Sequence, residues 1–370
     1  MPDERFQAFE TRQEVYFRDA RDLGFLGDGA VDLVVTSPPY PMVAMWDALF
    51  TRLDPAVGPA LEGDDGAAAF EAMHRALDPV WKELHRVLRP GGMACINVGD
   101  AVRTVGGAFR IYANHARILQ AMEAAGFTPL PDILWRKQTN APNKFMGSGM
   151  LPPGAYVTYE HEYVLLFRKG GKRVFRTAEE KALRRASAYF WEERNAWFSD
   201  VWSDLKGAGQ RLDARAGRAR SGAFPFELAF RLVCMFSLYG DRVLDPFLGT
   251  GTTLAAALAA GRSGVGVERD RSLEREVHAA VGGAVTVGAE RVRERRAAHA
   301  AFVAARARAG SPLKHWNRPL DMPVVTAQEE EIVLLRPAAL ERLERGRFRV
   351  TYRALAPRRD GGEEGRLFDA

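Results

Sequence analysis

Cysteine is scarce in this chain of 370 residues, which contains only two. So few cysteines exclude a disulfide scaffold and favour a reducing cytoplasm. Cys95 lies in a strand-like apolar run and Cys234 in a helix-like one, and both are predicted to be buried packing residues. The sequence therefore offers no candidate for a nucleophilic cysteine on an exposed loop.

Long apolar runs and metal-binding patterns are also lacking. No stretch of about twenty apolar residues is present, and the start, MPDER, does not resemble a signal peptide. The seven histidines lack the spacing of metal ligands, and His161 is interpreted as part of a strand entrance. We therefore expect a soluble, cytoplasmic protein without membrane association or a catalytic metal. Its 47% apolar residues suffice for one large α/β core.

The glycine-rich segment at residues 242–268 lacks two familiar phosphate-binding patterns. Leu254 stands where a dinucleotide fingerprint needs its third glycine, and the Gly-Lys-Ser/Thr of a P-loop is absent. The segment reads RVLDPFLGTGTT, an alanine-rich stretch and then GRSGVGVE, which predicts a strand, a glycine turn, a helix and a second strand. Gly249 and Gly251 allow the tight turn, and Thr252 or Thr253 is expected to cap the helix.

Glu268 ends the second of these strands. A carboxylate at that position can bind ribose hydroxyls, so the segment favours a nucleoside cofactor. A simple helix-entry turn is the alternative interpretation of an isolated Gly-x-Gly.

The run TSPPY at residues 36–40 directly follows the apolar run VDLVV at residues 31–35. Because proline fixes φ and lacks an N–H group, this pattern predicts a buried strand that ends at the double proline. Ligands bind at the carboxyl ends of strands in open α/β sheets, so Ser37 and Tyr40 are well placed to meet a substrate. A proline-rich turn that only caps a core strand is the alternative.

Together the two segments resemble the amino-group DNA methyltransferases that use S-adenosyl-L-methionine, in the permuted order that places TSPPY before the glycine segment. The resemblance covers roughly residues 14–285 and includes WKELHRVLRPGG at 81–92, LWRK at 134–137 and EHEYVLLFRK at 160–169. It implies an α/β, Rossmann-like class I methyltransferase fold, with a mainly parallel, twisted sheet and helices on both faces. A recognition insertion and a C-terminal appendage would complete it.

The resemblance also implies which residues catalyse the reaction, namely Ser37, Pro38, Pro39 and Tyr40. The exocyclic amine of a base is a poor nucleophile because its lone pair is delocalised, so it needs hydrogen-bond acceptors rather than a covalent nucleophile. The Ser37 hydroxyl and the Pro38 carbonyl would supply them. Tyr40 would stack on the base once that base is extruded from the duplex.

A second set of residues is implied to bind S-adenosyl-L-methionine. It comprises Asp19, Thr36, Phe224, Pro225, Asp245, Pro246, Phe247, Gly249, Thr250, Gly251, Thr252 and Glu268. Alternatively, Asp19 caps a short helix beginning near Arg21, and Asp245 only holds the glycine loop.

Serine before Pro-Pro-Tyr is typical of family members that methylate the N4 amine of cytosine, so this is the expected reaction on double-stranded DNA. Adenine-N6 methylation is the alternative within the family; RNA cytosine-N4 methylation and a DNA-binding regulator without turnover are further alternatives. Cytosine-C5 methylation needs a cysteine nucleophile beside a proline, which the sequence lacks. Residues 41–47 and 144–150 are similar to enzymes that act on the palindrome CTAG.

Positive charge is concentrated in one part of the chain. The net charge is +5, whereas residues 168–220 alone contain 14 Lys/Arg and 7 Asp/Glu, interleaved with aromatic residues. This pattern suits contact with phosphates and bases, and the resemblance places target recognition there. The candidate DNA-binding residues are Arg184, Arg185, Arg211, Arg215 and Arg218, the last three within a glycine- and arginine-rich stretch, 207–222, expected to form a flexible loop. A solvated helical face at 178–194, with its aromatic residues in the core, is the alternative.

These features divide the chain into four parts. Residues 1–167 and 223–285 are expected to form the catalytic and cofactor-binding halves of one methyltransferase domain, with the recognition region, 168–222, between them. Residues 286–370 would add a helix at 290–308, a small β appendage formed by 332–335 and 348–352, and a disordered tail from 357. The expected partner is double-stranded DNA, and a homodimer and a cognate restriction endonuclease are left open.

Overall fold

The computed structural model describes residues 6, 8–137, 146–206 and 224–357. The strands in chain order are β1 (Glu10–Phe17), β2 (Val31–Thr36), β3 (Leu88–Val98), β4 (Ala101–Val105), β5 (Ala108–Tyr112), β6 (Phe127–Arg136), β7 (Met146–Gly147), β8 (Ala155–Tyr156), β9 (His161–Lys169), β10 (Val201–Trp202), β11 (Arg242–Asp245), β12 (Ser263–Glu268), β13 (His315–Asn317), β14 (Met322–Val324), β15 (Leu335–Arg342) and β16 (Arg347–Ala354). The helices are α1 (Asp47–Leu53), α2 (Val57–Glu62), α3 (Gly66–Val87), α4 (Asn114–Ala124), α5 (Ala178–Ala186), α6 (Trp191–Trp197), α7 (Phe226–Phe236), α8 (Thr252–Ala259) and α9 (Glu274–Arg308).

Ten of these strands form one sheet, in the order β10-β6-β9-β3-β2-β11-β12-β1-β16-β15. The five strands from β3 to β1 in this order are parallel to one another. Strands β9 and β16 run in the opposite direction to their neighbours, so the other eight strands share one direction. The predicted α/β fold with a mainly parallel sheet is confirmed.

Strand β2 illustrates why helices cover both faces of the sheet. Its apolar residues are buried on both sides, as expected for a parallel strand in a doubly wound sheet. Val34 belongs to a core cluster with helices α3 and α4, whereas Leu33 and Val35 belong to a cluster with α7 and α8. The strand ends at Thr36, directly before the double proline, as predicted.

The glycine segment folds into the predicted strand, turn, helix and strand, namely β11, α8 and β12. The expected side-chain cap is wrong. Gly251 is the N-cap of α8, with φ of 95°, and no side chain caps this helix end. A left-handed backbone suits glycine, and it leaves the Thr253 hydroxyl to donate to the Asp245 carboxylate at 2.6 Å.

Residues 168–206 form part of the main body of the protein. The predicted continuous helical face at 178–194 is interrupted, since α5 ends at Ala186 and α6 begins at Trp191. Phe190, Trp197 and Trp202 are buried, and β10 pairs with β6 at the edge of the sheet. Phe190, Trp197 and Trp202 therefore belong to the core, which agrees with the alternative interpretation that the aromatic residues of this region are packing residues. The loop predicted at 207–222 lies outside the described residues.

The C-terminal β structure is not a separate appendage. Strand β16 pairs antiparallel with β1, and β15 pairs with β16, so this hairpin extends the main sheet. The first predicted strand, 332–335, lies almost entirely before β15, which begins at Leu335. Helix α9 runs unbroken from Glu274, so the boundary predicted at residue 285 falls inside a helix. The tail from residue 358 lies outside the described residues.

Replacing Tyr352 by phenylalanine tests whether the hairpin is integral to the fold. The buried Tyr352 hydroxyl donates to the Leu258 carbonyl at 2.8 Å and lies 2.9 Å from the Thr11 hydroxyl. Its loss removes two buried hydrogen bonds between the hairpin and the rest of the protein and should lower the free energy of unfolding by about 1–3 kcal/mol in a urea titration. Tyr156→Phe, at an exposed tyrosine, is the control and should change it by less than about 0.5 kcal/mol. A separate early transition in Tyr352→Phe would instead show that the hairpin unfolds independently.

Candidate active site

One cavity of about 610 Å³ lies at the carboxyl ends of the parallel strands. The loops after β1, β2, β11 and β12 meet there, as expected for an open α/β sheet. Most of the predicted site residues line it, namely Asp19, Ser37, Pro38, Pro39, Tyr40, Phe224, Asp245, Pro246, Phe247, Gly249, Thr250, Thr252 and Glu268. The structure therefore joins the TSPPY loop (residues 36–40) and the glycine loop (residues 245–251) in one site.

Three predicted cofactor-binding residues do not line the cavity. Thr36 is buried behind it and donates its hydroxyl to Asp245 at 2.6 Å. Pro225 is the N-cap of α7 and Gly251 is the N-cap of α8. Their positions are those of residues that shape the loops around the cavity.

Asp245 connects the TSPPY loop and the glycine loop through hydrogen bonds. Its carboxylate accepts hydrogen bonds from the hydroxyls of Thr36 and Thr253, both at 2.6 Å, and from the backbone N–H of Phe247 at 3.0 Å. The side chain is only 2% exposed, and this burial raises the pKa of Asp245 to about 6. These contacts give Asp245 the loop-holding role that the sequence left as an alternative to a cofactor contact.

Glu268 and Asp19 bring two further carboxylates to the cavity. Glu268 accepts hydrogen bonds from the backbone N–H groups of Gly249 at 2.8 Å and Asp270 at 2.7 Å, so it helps to fix the glycine loop. Asp19 accepts from the Arg21 guanidinium and from the Arg21 backbone N–H. Burial opposes ionisation of Asp19, but the bonds from Arg21 outweigh it and lower the pKa of this carboxyl. Residues 20 and 21 form a turn, so the helix that Asp19 was alternatively expected to cap is not formed.

The TSPPY loop is held by a hydrogen-bond network that the sequence did not reveal. Ser37 donates to the Tyr40 hydroxyl, which donates to Glu162, both at 3.0 Å. Asn97 donates to both Tyr40 and Glu162, at 3.0 and 2.7 Å. Lys137 pairs with the other Glu162 oxygen at 2.7 Å. Burial and the Glu162 carboxylate raise the pKa of Tyr40 well above its usual value, so its phenol stays protonated at neutral pH.

Glu162 reaches this network because of strand direction. Strand β9 runs antiparallel to β3 and β6, so its first residues lie at the edge where the parallel strands end. Glu162 and Lys137 belong to runs that carried the family resemblance, but nothing in their local pattern shows that they meet Tyr40. Only the sheet order could have identified them.

The structure does not bring Arg184, the first of the predicted recognition arginines, to this edge. Arg184 lies over the Phe175 ring, and so does Arg173. Arg173 pairs with Asp241, which directly precedes β11 and so marks the amino edge of the sheet. The six residues of β2 separate the amino and carboxyl edges of the sheet by roughly 20 Å. This distance does not support contact of Arg184 and the neighbouring Arg185 with DNA beside the reacting base. Arg211, Arg215 and Arg218 lie outside the described residues.

The remaining expectations concern cysteine, metals and membranes. Cys95 and Cys234 are free and buried, as predicted, and burial raises the pKa of both thiols. Within the described ranges no group of three or more His, Cys, Asp and Glu side chains could hold a metal ion. Among the helices of the same ranges, none is sufficiently long and apolar to cross a bilayer.

Comparison with known proteins agrees with this geometry. A family model for N6/N4 methyltransferases, described as DNA methylase, matches residues 31–279. The chain belongs to this family. The predicted class of DNA methylase and its cofactor, S-adenosyl-L-methionine, are confirmed at that level.

Three relatives illustrate the breadth of the similarity. The Type II methyltransferase M.MthZI of Methanothermobacter thermautotrophicus is 46% identical over 352 residues, which cover 95% of this chain and 98% of the relative. M.MjaI of Methanocaldococcus jannaschii is 45% identical over 283 residues, 74% of this chain and 92% of the relative. The solved structure of TTHA0409 from Thermus thermophilus, complexed with S-adenosyl-L-methionine, is 33% identical with a TM-score of 0.57, over 74% of this chain and 94% of its own.

Titration of the methylase tests the burial of Asp245. Because its pKa is about 6 in the folded state and about 4 in an unfolded chain, the folded state binds more protons between these values. The contribution of Asp245 to the free energy of unfolding should therefore fall by about 2 kcal/mol as the pH rises from 4 to 7. Asp245→Asn removes this titration, so the stability advantage of the wild type over the variant should shrink over that range in denaturant titrations. A constant difference would contradict the assignment.

Proposed function

We propose that the chain transfers a methyl group from S-adenosyl-L-methionine to the N4 amine of a cytosine flipped out of duplex DNA. The observation that carries this proposal is the position of Ser37. Its hydroxyl lines the same cavity as the glycine loop and Glu268, and its hydrogen is donated to Tyr40. The lone pairs of its oxygen therefore remain available to accept from an amine.

The residues around the cavity fit the proposed cofactor. Glu268 lies at the end of β12 beside the glycine loop, where a carboxylate can bind ribose hydroxyls. Asp19 offers a second carboxylate, and Phe247, Val267 and Leu273 provide apolar walls. The Thermus relative with S-adenosyl-L-methionine supports this assignment. When bound, the cofactor supplies an electrophilic methyl group on a sulfonium.

The TSPPY loop would activate the amine by accepting hydrogen bonds from its N–H groups. As the nitrogen becomes pyramidal, its lone pair leaves the ring system and positive charge develops on the N–H groups. The Ser37 hydroxyl and the Pro38 carbonyl can stabilise that charge, and they do so more strongly in the transition state than in the ground state. Once the methyl group had passed from the sulfonium to the nitrogen, leaving the cofactor as the neutral thioether, the methylated amine would release one proton to solvent. The Tyr40 ring lines the cavity and is proposed to stack on the base, while its hydroxyl orients Ser37.

We propose that Glu162 is a positioning residue for this loop. Its carboxylate accepts from Tyr40 and Asn97 and is neutralised by Lys137. A charged acceptor makes these hydrogen bonds stronger than neutral ones. Tyr40, and Ser37 through it, are thereby kept in one orientation towards the cavity.

Glu162→Gln should lower turnover without releasing the cofactor. The variant loses the charge that faces Lys137 and one of the acceptors, so the loop is less well aligned. We expect the turnover number to fall by about 10²-fold, while the cofactor dissociation constant and the melting temperature change little. Glu160→Gln is the matched control, because Glu160 pairs with Arg136 at the surface instead. A loss confined to the melting temperature would show a merely structural role.

The proposed reaction is tested by identifying its product. Purified protein is incubated with labelled S-adenosyl-L-methionine and genomic duplex DNA, and the digested nucleosides are separated by mass spectrometry. We expect N4-methylcytosine, with Ser37→Ala lowering turnover by about 10²–10³-fold and leaving cofactor affinity unchanged. N6-methyladenine would keep the fold and mechanism but overturn the choice of base. Label in RNA alone would reassign the substrate.

The sequence of the methylated site is a separate proposal. M.MthZI and M.MjaI are Type II methyltransferases, which supports the proposal that this chain methylates DNA at a defined sequence. We favour CTAG because residues 41–47 and 144–150 resemble enzymes with that target; residues 144 and 145 lie outside the described residues. The positions of the modified cytosines in the same genomic DNA test this target: they should lie within CTAG, and modification at another sequence would contradict it.

A further inference from the structure

Strands β4 and β5 form a two-stranded ribbon that lies next to the active site. It begins at Ala101, three residues after the end of β3, and the connection passes against Tyr40, since a Cβ at Gly99 would lie 3.2 Å from that ring. The pairing register sets Val102 opposite Ile111 and Thr104 opposite Phe109. Because side chains alternate along a strand, these four residues share one face of the ribbon.

The ribbon is fixed to the TSPPY side of the cavity by its other face. Arg103 forms two hydrogen bonds of 2.8 Å with Asp47 and one of 3.4 Å with the Met42 carbonyl. At the turn, the Gly106 N–H donates to Asp64 at 3.1 Å. The outer face therefore keeps a defined position relative to the cavity.

The outer face is apolar and exposed. Phe109 and Ile111 are 41% and 47% exposed, although both are large hydrophobic residues. Phe109 stacks on Tyr156, with ring centroids 5.0 Å apart. The segment that carries Tyr156, residues 146–159, contains no charged residue and presents Met150, Leu151 and Val157 at 71–87% exposure. Large exposed hydrophobic residues grouped in this way mark an interaction site.

We propose that this ribbon surface, comprising Phe109, Ile111, Met150, Leu151, Tyr156 and Val157, contacts the DNA duplex while a base occupies the cavity. The inference rests on the proposed function, because an extruded base must enter from a duplex that lies over this edge of the sheet. A two-stranded ribbon fits the major groove, and apolar side chains that enter between bases help to unstack them.

The surroundings of the ribbon surface favour DNA over a second copy of the chain. Residues 101–112 contain two arginines and no acidic residue. Arg110 is exposed on the face of the ribbon that also carries Arg103, between Phe109 and Ile111 in the chain. Arg103 pairs with Asp47, and the exposed Arg136, at the carboxyl end of β6, pairs with Glu160 at 3.5 Å. An exposed arginine at the edge of an apolar patch, as Arg110 is here, suits a partner with a phosphate backbone.

The test compares two double variants with the wild type. Phe109→Ser with Ile111→Ser removes apolar side chains from the ribbon surface, whereas Val174→Ser with Val287→Ser removes exposed apolar side chains elsewhere. Binding to a fluorescein-labelled duplex carrying one CTAG site is measured by anisotropy, next to cofactor binding and molar mass. We expect the DNA dissociation constant of the first variant to rise by about tenfold or more, with the control, cofactor affinity and mass unchanged.

Two outcomes would overturn the inference. One is a DNA dissociation constant equal to that of the wild type. The other is a lower molar mass in the first variant only, which would make the ribbon surface an interface between copies. The nucleoside product is determined on the same wild-type sample, so N6-methyladenine would overturn the proposed base while the ratio of DNA dissociation constants still decides the ribbon surface.

Discussion

The site depends on one buried carboxylate. Asp245 accepts the hydroxyl hydrogens of Thr36, at the end of β2, and Thr253, in the first turn of α8. Thr36 and Asp245 are far apart in the chain, yet the parallel strands that carry them are neighbours in the sheet. Burying a carboxylate is costly unless its hydrogen bonds are satisfied, so these three groups stabilise one another only when both loops adopt their native positions. The TSPPY and glycine loops are thereby tied to a common geometry.

Much of the fold and of the cavity lining could be predicted from the sequence because the signals are local. A β-branched run followed by Pro38 and Pro39 predicts a strand end wherever it occurs, and Gly249 and Gly251 predict a tight turn before a helix. Both features lie at strand ends, and parallel strands end at one edge of a sheet. The neighbourhood of Ser37, Gly249 and Glu268 follows from that rule without knowledge of the strand order.

The parts that could not be predicted depend on strand order and direction. Glu162 enters the site only because β9 runs against its neighbours, and no local pattern encodes that direction. The hairpin of β15 and β16 resembled an appendage because its pairing partner, β1, lies at the other end of the described chain. Arg184 looked suited to DNA because charge can be counted in a sequence, whereas the edge of the sheet on which a charge lies cannot.

The direction of hydrogen bonding explains why a neutral tyrosine belongs in this site. The Tyr40 oxygen accepts from Ser37 and Asn97 and donates its single hydrogen to Glu162, which uses its full capacity. An ionised phenolate would face the Glu162 carboxylate as a like charge, and the raised pKa of Tyr40 prevents this. With its hydrogen committed to Tyr40, Ser37 can only accept from a substrate. An amine, whose N–H groups become stronger hydrogen-bond donors as its lone pair attacks the methyl group, is the substrate that such an oxygen fits best.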